Sequence, residues 1–178
     1  MRILRRNYIE GLAEEIKTIG KGTIPFKDID SFLKIFGGII MNPIEDYSDG
    51  YAKKYEDGTF TLCLRDSYNT ETLKKRNYVS LILLGHLILH YGYIVDLTHW
   101  RYTKVNTPLY ITDYNDLIEA RFFARCVSLP KKNVLLWVEE HPVKDDISLQ
   151  RMSDHFMMPV SVIRDRLNDL FEKGDLNE

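Results

Sequence analysis

The run Tyr78–Val95, YVSLILLGHLILHYGYIV, contains no Asp, Glu, Lys or Arg, and the rest of the chain has to fold around it. It falls at or below the low end of lengths that span a bilayer. It also carries His86, His90, two Gly and three Tyr. A buried core helix accommodates such a run better than a membrane does. His86 and His90 are four residues apart, so a helix places both imidazoles on one face, a spacing that can chelate a single metal ion.

The bulk properties narrow the class. With 178 residues the chain can bury a sizeable core as one compact domain, with room for a small appendage. A formal net charge of −2 leaves no electrostatic footprint for nucleic acid. The opening MRILRRNYIEGLAEE reaches Glu10 before any apolar stretch develops, so no signal peptide is expected. Cys63 and Cys126 lack CxxC spacing and read as reduced, buried thiols of a cytoplasmic protein.

Periodicity organises the remainder. Tyr8, Ile9, Leu12, Ile16 and Ile19 predict a first helix, and Ile29, Phe32, Leu33 and Phe36 a second over Asp28–Phe36. Ile39–Met41 reads as a short strand. Tyr51–Tyr55 and Thr59–Leu64 read as a hairpin closed at Asp57-Gly58. In its second arm Phe60, Leu62 and Leu64 should face a helix, with Thr59, Thr61 and Cys63 on the other face. Asn69-Thr70-Glu71 looks like a capped helix start leading into the uncharged run. Asp96–Thr112 is expected as a loop or irregular hairpin, with His99 exposed on it. Further helices are predicted from Asp113, over Lys131–Glu140, and as a pair over Asp145–Phe156 and Val160–Phe171. In that pair Met152, Phe156, Val160, Ile163, Leu167 and Leu170 should form a small core. His141 and His155 are expected at the surface.

Three segments together resemble the ImmA/IrrE family of zincin-like metallopeptidases. The family's zinc helix reads roughly RxxFTLAHELGHxLLH; here Arg76 stands near its leading Arg, and Gly85-His86 and His90 match its later positions. EARFFARCVSLP at Glu119–Pro130 is similar to the family's EANxFAAxLLMP, keeping Phe123, Ala124, Leu129 and Pro130 but with Arg121 where Asn is usual. LQRMSDHFMMPVSVIRDRLNDL resembles the family's closing helices. The resemblance implies an α+β, zincin-like fold with a small sheet against a buried central helix. It divides the chain into a metallopeptidase-type domain over residues 1–142 and a C-terminal, helix-turn-helix-like pair over residues 143–178.

The same resemblance assigns chemistry and shows what is missing. His86 and Glu119 match two metal ligands, but Ile82 occupies the position of the first ligand and Leu83 that of the general base. Neither side chain can coordinate a metal or accept a proton. The implied protein is a catalytically inactive regulator from a phage or mobile element, acting on a protein partner such as a DNA-binding transcriptional repressor. No cofactor and no membrane association are expected. One alternative is a metal-dependent peptidase holding zinc in a set shifted by one turn, His86, His90 and Glu119. Without metal, His86 would pack against the sheet and pair with Glu119, which raises a His pKa while burial opposes it. His90 would be a buried imidazole bonded to backbone or a Tyr. A further alternative is DNA binding through the C-terminal pair. Its second helix, however, mixes Arg164 and Arg166 with Asp165, Asp169 and Glu172, which does not make a cationic recognition face.

Overall fold

The computed structural model describes residues 6–26, 28–41, 50–64 and 70–171. In chain order its elements are α1 (Arg6–Ile19), α2 (Ile29–Ile35), β1 (Gly38–Met41), β2 (Gly50–Lys54), β3 (Phe60–Leu64), α3 (Thr70–Tyr91), α4 (Leu97–Tyr102), β4 (Pro108–Leu109), α5 (Tyr114–Ser128), α6 (Lys131–Glu140), α7 (Asp146–Phe156) and α8 (Val160–Phe171). The architecture is α+β. Asn69 and the acidic tail from Glu172 lie outside the described residues, as do the side chains of Thr70 and Glu71.

The uncharged run forms most of α3, and the packing explains why it lacks charge. One side of α3 rests on β2 and β3, and another packs extensively against α5, which is backed in turn by α1. Residues 81–84 span more than a full helical turn, and Leu81, Ile82, Leu83 and Leu84 are all buried. Each such side chain contributes roughly 1.5–3 kcal/mol by leaving water. No helix among the described residues is long and apolar enough to cross a membrane.

The sheet runs β1-β3-β2-β4, with β1 parallel to β3 and the other pairings antiparallel. The hairpin closes where Asp-Gly predicts it: Gly58 has φ +85°, and the Asp57 carboxylate accepts from the Thr59 amide at 2.9 Å. β3 departs from the expected alternation, because all five of its residues are buried. It is a central strand, and its small Thr61 and Cys63 lie beside the longer Lys53 and Tyr51 of β2. Those cross-strand neighbours cover the face that a strand pattern alone assigns to solvent.

Helix ends and stripes follow the sequence closely. Ile9, Leu12, Ala13 and Ile16 of α1 are buried, although Tyr8 and Ile19, expected on the same stripe, are about half exposed. Asp28 caps α2 by accepting from the Ser31 amide. Cys63 and Cys126 are both buried and free.

The segment expected to be a loop, Asp96–Thr112, instead contains α4 and β4. Asp96 caps α4 through the Thr98 and His99 amides. At the far end the buried Lys54 reaches in from β2. Its ammonium donates to the Trp100 carbonyl and, at 3.3 Å each, to the carbonyls of Arg101 and Thr103. A cation there complements the negative end of the helix.

The C-terminal pair shares the main core: Met152, Phe156, Met158, Val162 and Ile163 belong to the same contiguous buried cluster as α1, α3 and α5. Val162 takes the buried place expected for Val160, and Leu167 and Leu170 are only partly buried. Arg166, expected on a mixed-charge outer face, is 1% exposed. Its guanidinium donates to the Leu129 carbonyl at 2.9 Å and to the Glu10 carboxylate at 2.6 Å. Arg125 of α5 binds Asp169 of α8 at 2.7 Å.

Candidate functional site

The site lies where α3 and α5 approach most closely. Gly85 makes the approach possible: a Cβ there would stand 2.7 Å from a ring carbon of Phe123 and 3.3 Å from the Ala120 carbonyl oxygen. With no side chain at 85, the N-terminal half of α5 lies against His86 and His90. Asp113 caps that helix through the Asn115 and Asp116 amides. Asp116 and Glu119, three residues apart, then share the face that meets the two histidines.

Four polar side chains converge here. His86 Nδ1 lies 2.8 Å from His90 Nδ1. His90 Nε2 is 3.1 Å from a Glu119 carboxylate oxygen and 3.7 Å from one of Asp116. His86 is 2% exposed, whereas the His90 and Asp116 side chains keep 12% and 17%. The Tyr91 ring meets that of His86 edge-on, with centroids 5.0 Å apart. Tyr91 also lines a cavity of about 520 Å³, together with His99, Tyr102, Lys104, Pro108 and Leu109.

The electrostatics follow from burial. His86 is pushed down from 6.5 to about 4, chiefly by desolvation and then by the neighbouring His90, with a small opposing pull from the Tyr110 backbone. The Asp116 carboxyl is raised, mainly by burial; His90 draws it back, while Asp113 and Glu119 add to the rise. Two proton arrangements serve the contacts of His90. Either His86 donates from Nδ1 to a neutral His90 that donates to Glu119, or a charged His90 donates to both neighbours. His86 is neutral in each, and its buried Nε2 has no hydrogen-bond partner.

Several sequence expectations change at this point. Glu119 bonds to His90, so the expected His86–Glu119 pair does not form; His90 lies between them. The His86 pKa falls because burial prevails. His90 is only partly buried, and its partners are a histidine and carboxylates in place of backbone or Tyr. Asp116 was missed altogether, although its i, i+3 spacing to Glu119 was available in the sequence. His99 is exposed as expected, but it stands on α4 with its ring 6.4 Å from that of Tyr91. His141 and His155 are exposed and flank Trp137, with ring centroids 4.8 and 6.2 Å from it.

Ile82 and Leu83 lie in the core at 8% and 2% exposure. Leu83 is turned onto the sheet at Gly50, where a Cβ would meet its methyl carbon at 3.2 Å. The zinc centre implied by the family resemblance needs three protein ligands and an open position. Ile82, His86 and Glu119 supply only two donors, so the residues present do not fit that centre. No protein-family model matches this chain, and no curated protein is significantly similar to it.

Proposed function

We propose that this chain is a non-catalytic regulatory protein on a zincin-like scaffold of the ImmA/IrrE kind, and that it works by binding another protein. The observation that carries the reading is the burial of Ile82 and Leu83 at the positions where a first metal ligand and a general base would stand. A positioned base is worth roughly 10²–10⁴ in rate. A binder tolerates its loss, because recognition and proton transfer are separable.

The cavity beside the site supports a role in binding: Tyr102, which lines it, is 80% exposed, and Leu97 on the same helix is 70% exposed. Exposed aromatic side chains of this kind are favoured at protein contacts. The partner suggested by the resemblance is a DNA-binding transcriptional repressor of a phage or mobile element, engaged in the cytoplasm. The chain would then act as an antirepressor. DNA itself is a poorer candidate: Arg164 is held by Asp146 at 2.6 Å and Arg166 is buried.

The test combines the chain with the repressor of its own element and that repressor's operator DNA in a mobility-shift assay. The expected result is loss of the repressor–operator band, with the repressor intact and the effect insensitive to EDTA. Repressor fragments whose formation EDTA blocks would overturn the non-catalytic reading. An unaltered repressor–operator band would overturn the antirepressor role.

A further inference from the structure

We propose that His86, His90 and Asp116, with Glu119 beside them, bind one borderline divalent cation of the zinc class, which would tie α3 to α5. This site differs in composition from the one the family resemblance implies. His90 takes part as in the shifted set described above, and Asp116 supplies a donor at a position that the resemblance does not assign, in compensation for Ile82.

The geometry is the first support. His86, His90 and Asp116 each offer one ligand atom, and these atoms lie within 4.8 Å of one another. Imidazole nitrogens and carboxylate oxygens bind zinc at about 2.0–2.2 Å, so the donors of one tetrahedral ion stand about 3.3–3.6 Å apart. The widest pair has to close by about 1–1.5 Å and the two histidine nitrogens, now 2.8 Å apart, have to open slightly, both by side-chain rotation. Glu119, at 3.1 Å from His90, can either join as a fourth donor or orient that ring.

The second support is the setting of the His86 ring. Its Nδ1 faces His90 at 2.8 Å, and its buried Nε2 lies near the Tyr110 backbone, which favours a proton on the ring without closing a full hydrogen bond. Metal-bound histidines commonly present their second ring nitrogen to a backbone carbonyl or carboxylate. Ligation through Nδ1 would sharpen the proton on Nε2 and draw the ring toward such a contact.

Chemistry and access agree with this assignment. Two imidazoles and one or two carboxylates suit zinc and its neighbours better than Mg²⁺ or Ca²⁺, which take mainly oxygen. The carboxylates offset the charge of a divalent ion. His90 and Asp116 are partly exposed, so an ion can enter without unfolding the core around His86.

Isothermal titration of chelator-stripped, untagged protein with Zn²⁺ tests the proposal, with the visible spectrum of the Co²⁺ form as a second readout. One ion should bind in the micromolar range or tighter. Asp116→Asn and His90→Gln should each weaken binding about tenfold or more while far-UV circular dichroism stays unchanged. Should either variant fail to fold, the wild-type Co²⁺ spectrum decides. Bands of nitrogen and oxygen ligation support the site, and thiolate charge-transfer bands would place the ion at a cysteine and overturn it. No saturable binding, or binding that both folded variants leave unchanged, overturns it as well. Failure here leaves the regulatory reading standing, and peptidase activity would sink that reading without touching the ion site.

Discussion

Acidification tests the buried imidazole of His86. In the folded protein this ring takes up its proton only near pH 4, against 6.5 for a free imidazole. Between those values the unfolded chain holds more protons at this position, so folding stability rises with pH across the window and is lost as pH falls through it. Each pKa unit corresponds to about 1.4 kcal/mol, and the whole displacement therefore to roughly 3 kcal/mol. The ring is only 2% exposed, so solvent screens little of that difference. The groups nearest the ring are His90 and Tyr91 from α3 and Asp116 from α5. The Asp116 carboxyl, raised by burial, titrates toward the same window. The useful quantity is therefore the difference between wild type and His86→Gln in urea denaturation, measured from about pH 7 to pH 4 with EDTA present. Wild type should lose about 2–3 kcal/mol more than the variant across that range, with little difference in slope above about pH 7. The carbon-bound ring protons of His86 should stay unshifted by NMR until below about pH 5. An imidazole titrating near its free value, or parallel stability profiles for the two proteins, would refute the reasoning.

Three substitutions probe the surroundings. Arg166→Ala removes the buried guanidinium that binds the Leu129 carbonyl and Glu10; it should cost about 3 kcal/mol in urea unfolding, and the volume-preserving Arg166→Met roughly half of that. Leu83→Glu places a carboxyl at a position 2% exposed. It should lower stability by about 3 kcal/mol or more at neutral pH, and the deficit relative to wild type should narrow on acidification as the new group becomes neutral. A deficit that instead widened would argue against burial of that position. Lys54→Met leaves the α4 carbonyls without their donor. The expected result is a loss of about 1–3 kcal/mol and faster amide exchange in Leu97–Tyr102 than elsewhere; unchanged exchange there would show that Lys54 does not hold the helix.

What could be read from the sequence is what short-range patterning encodes. The uncharged run had to be a buried helix, the stripes of α1 and α2 picked out Ile9, Leu12, Ile16, Ile29, Phe32 and Leu33, and Asp57-Gly58 marked the hairpin turn. The two histidines on one face of α3 were legible from their spacing alone. The hidden features were those whose partners come from distant parts of the chain. β4 is only two residues long and exists by pairing with Ala52 and Lys53, and α4 is held at one end by Lys54. Arg166 looks like a surface residue until Leu129 and Glu10 close around it. Asp116 becomes part of the site because Gly85 lets α5 come close, and His86 loses its proton because the same approach excludes water. Periodicity records which side of an element is apolar. Which carboxylate meets which imidazole, and how much water remains between them, was decided when α3 and α5 packed together.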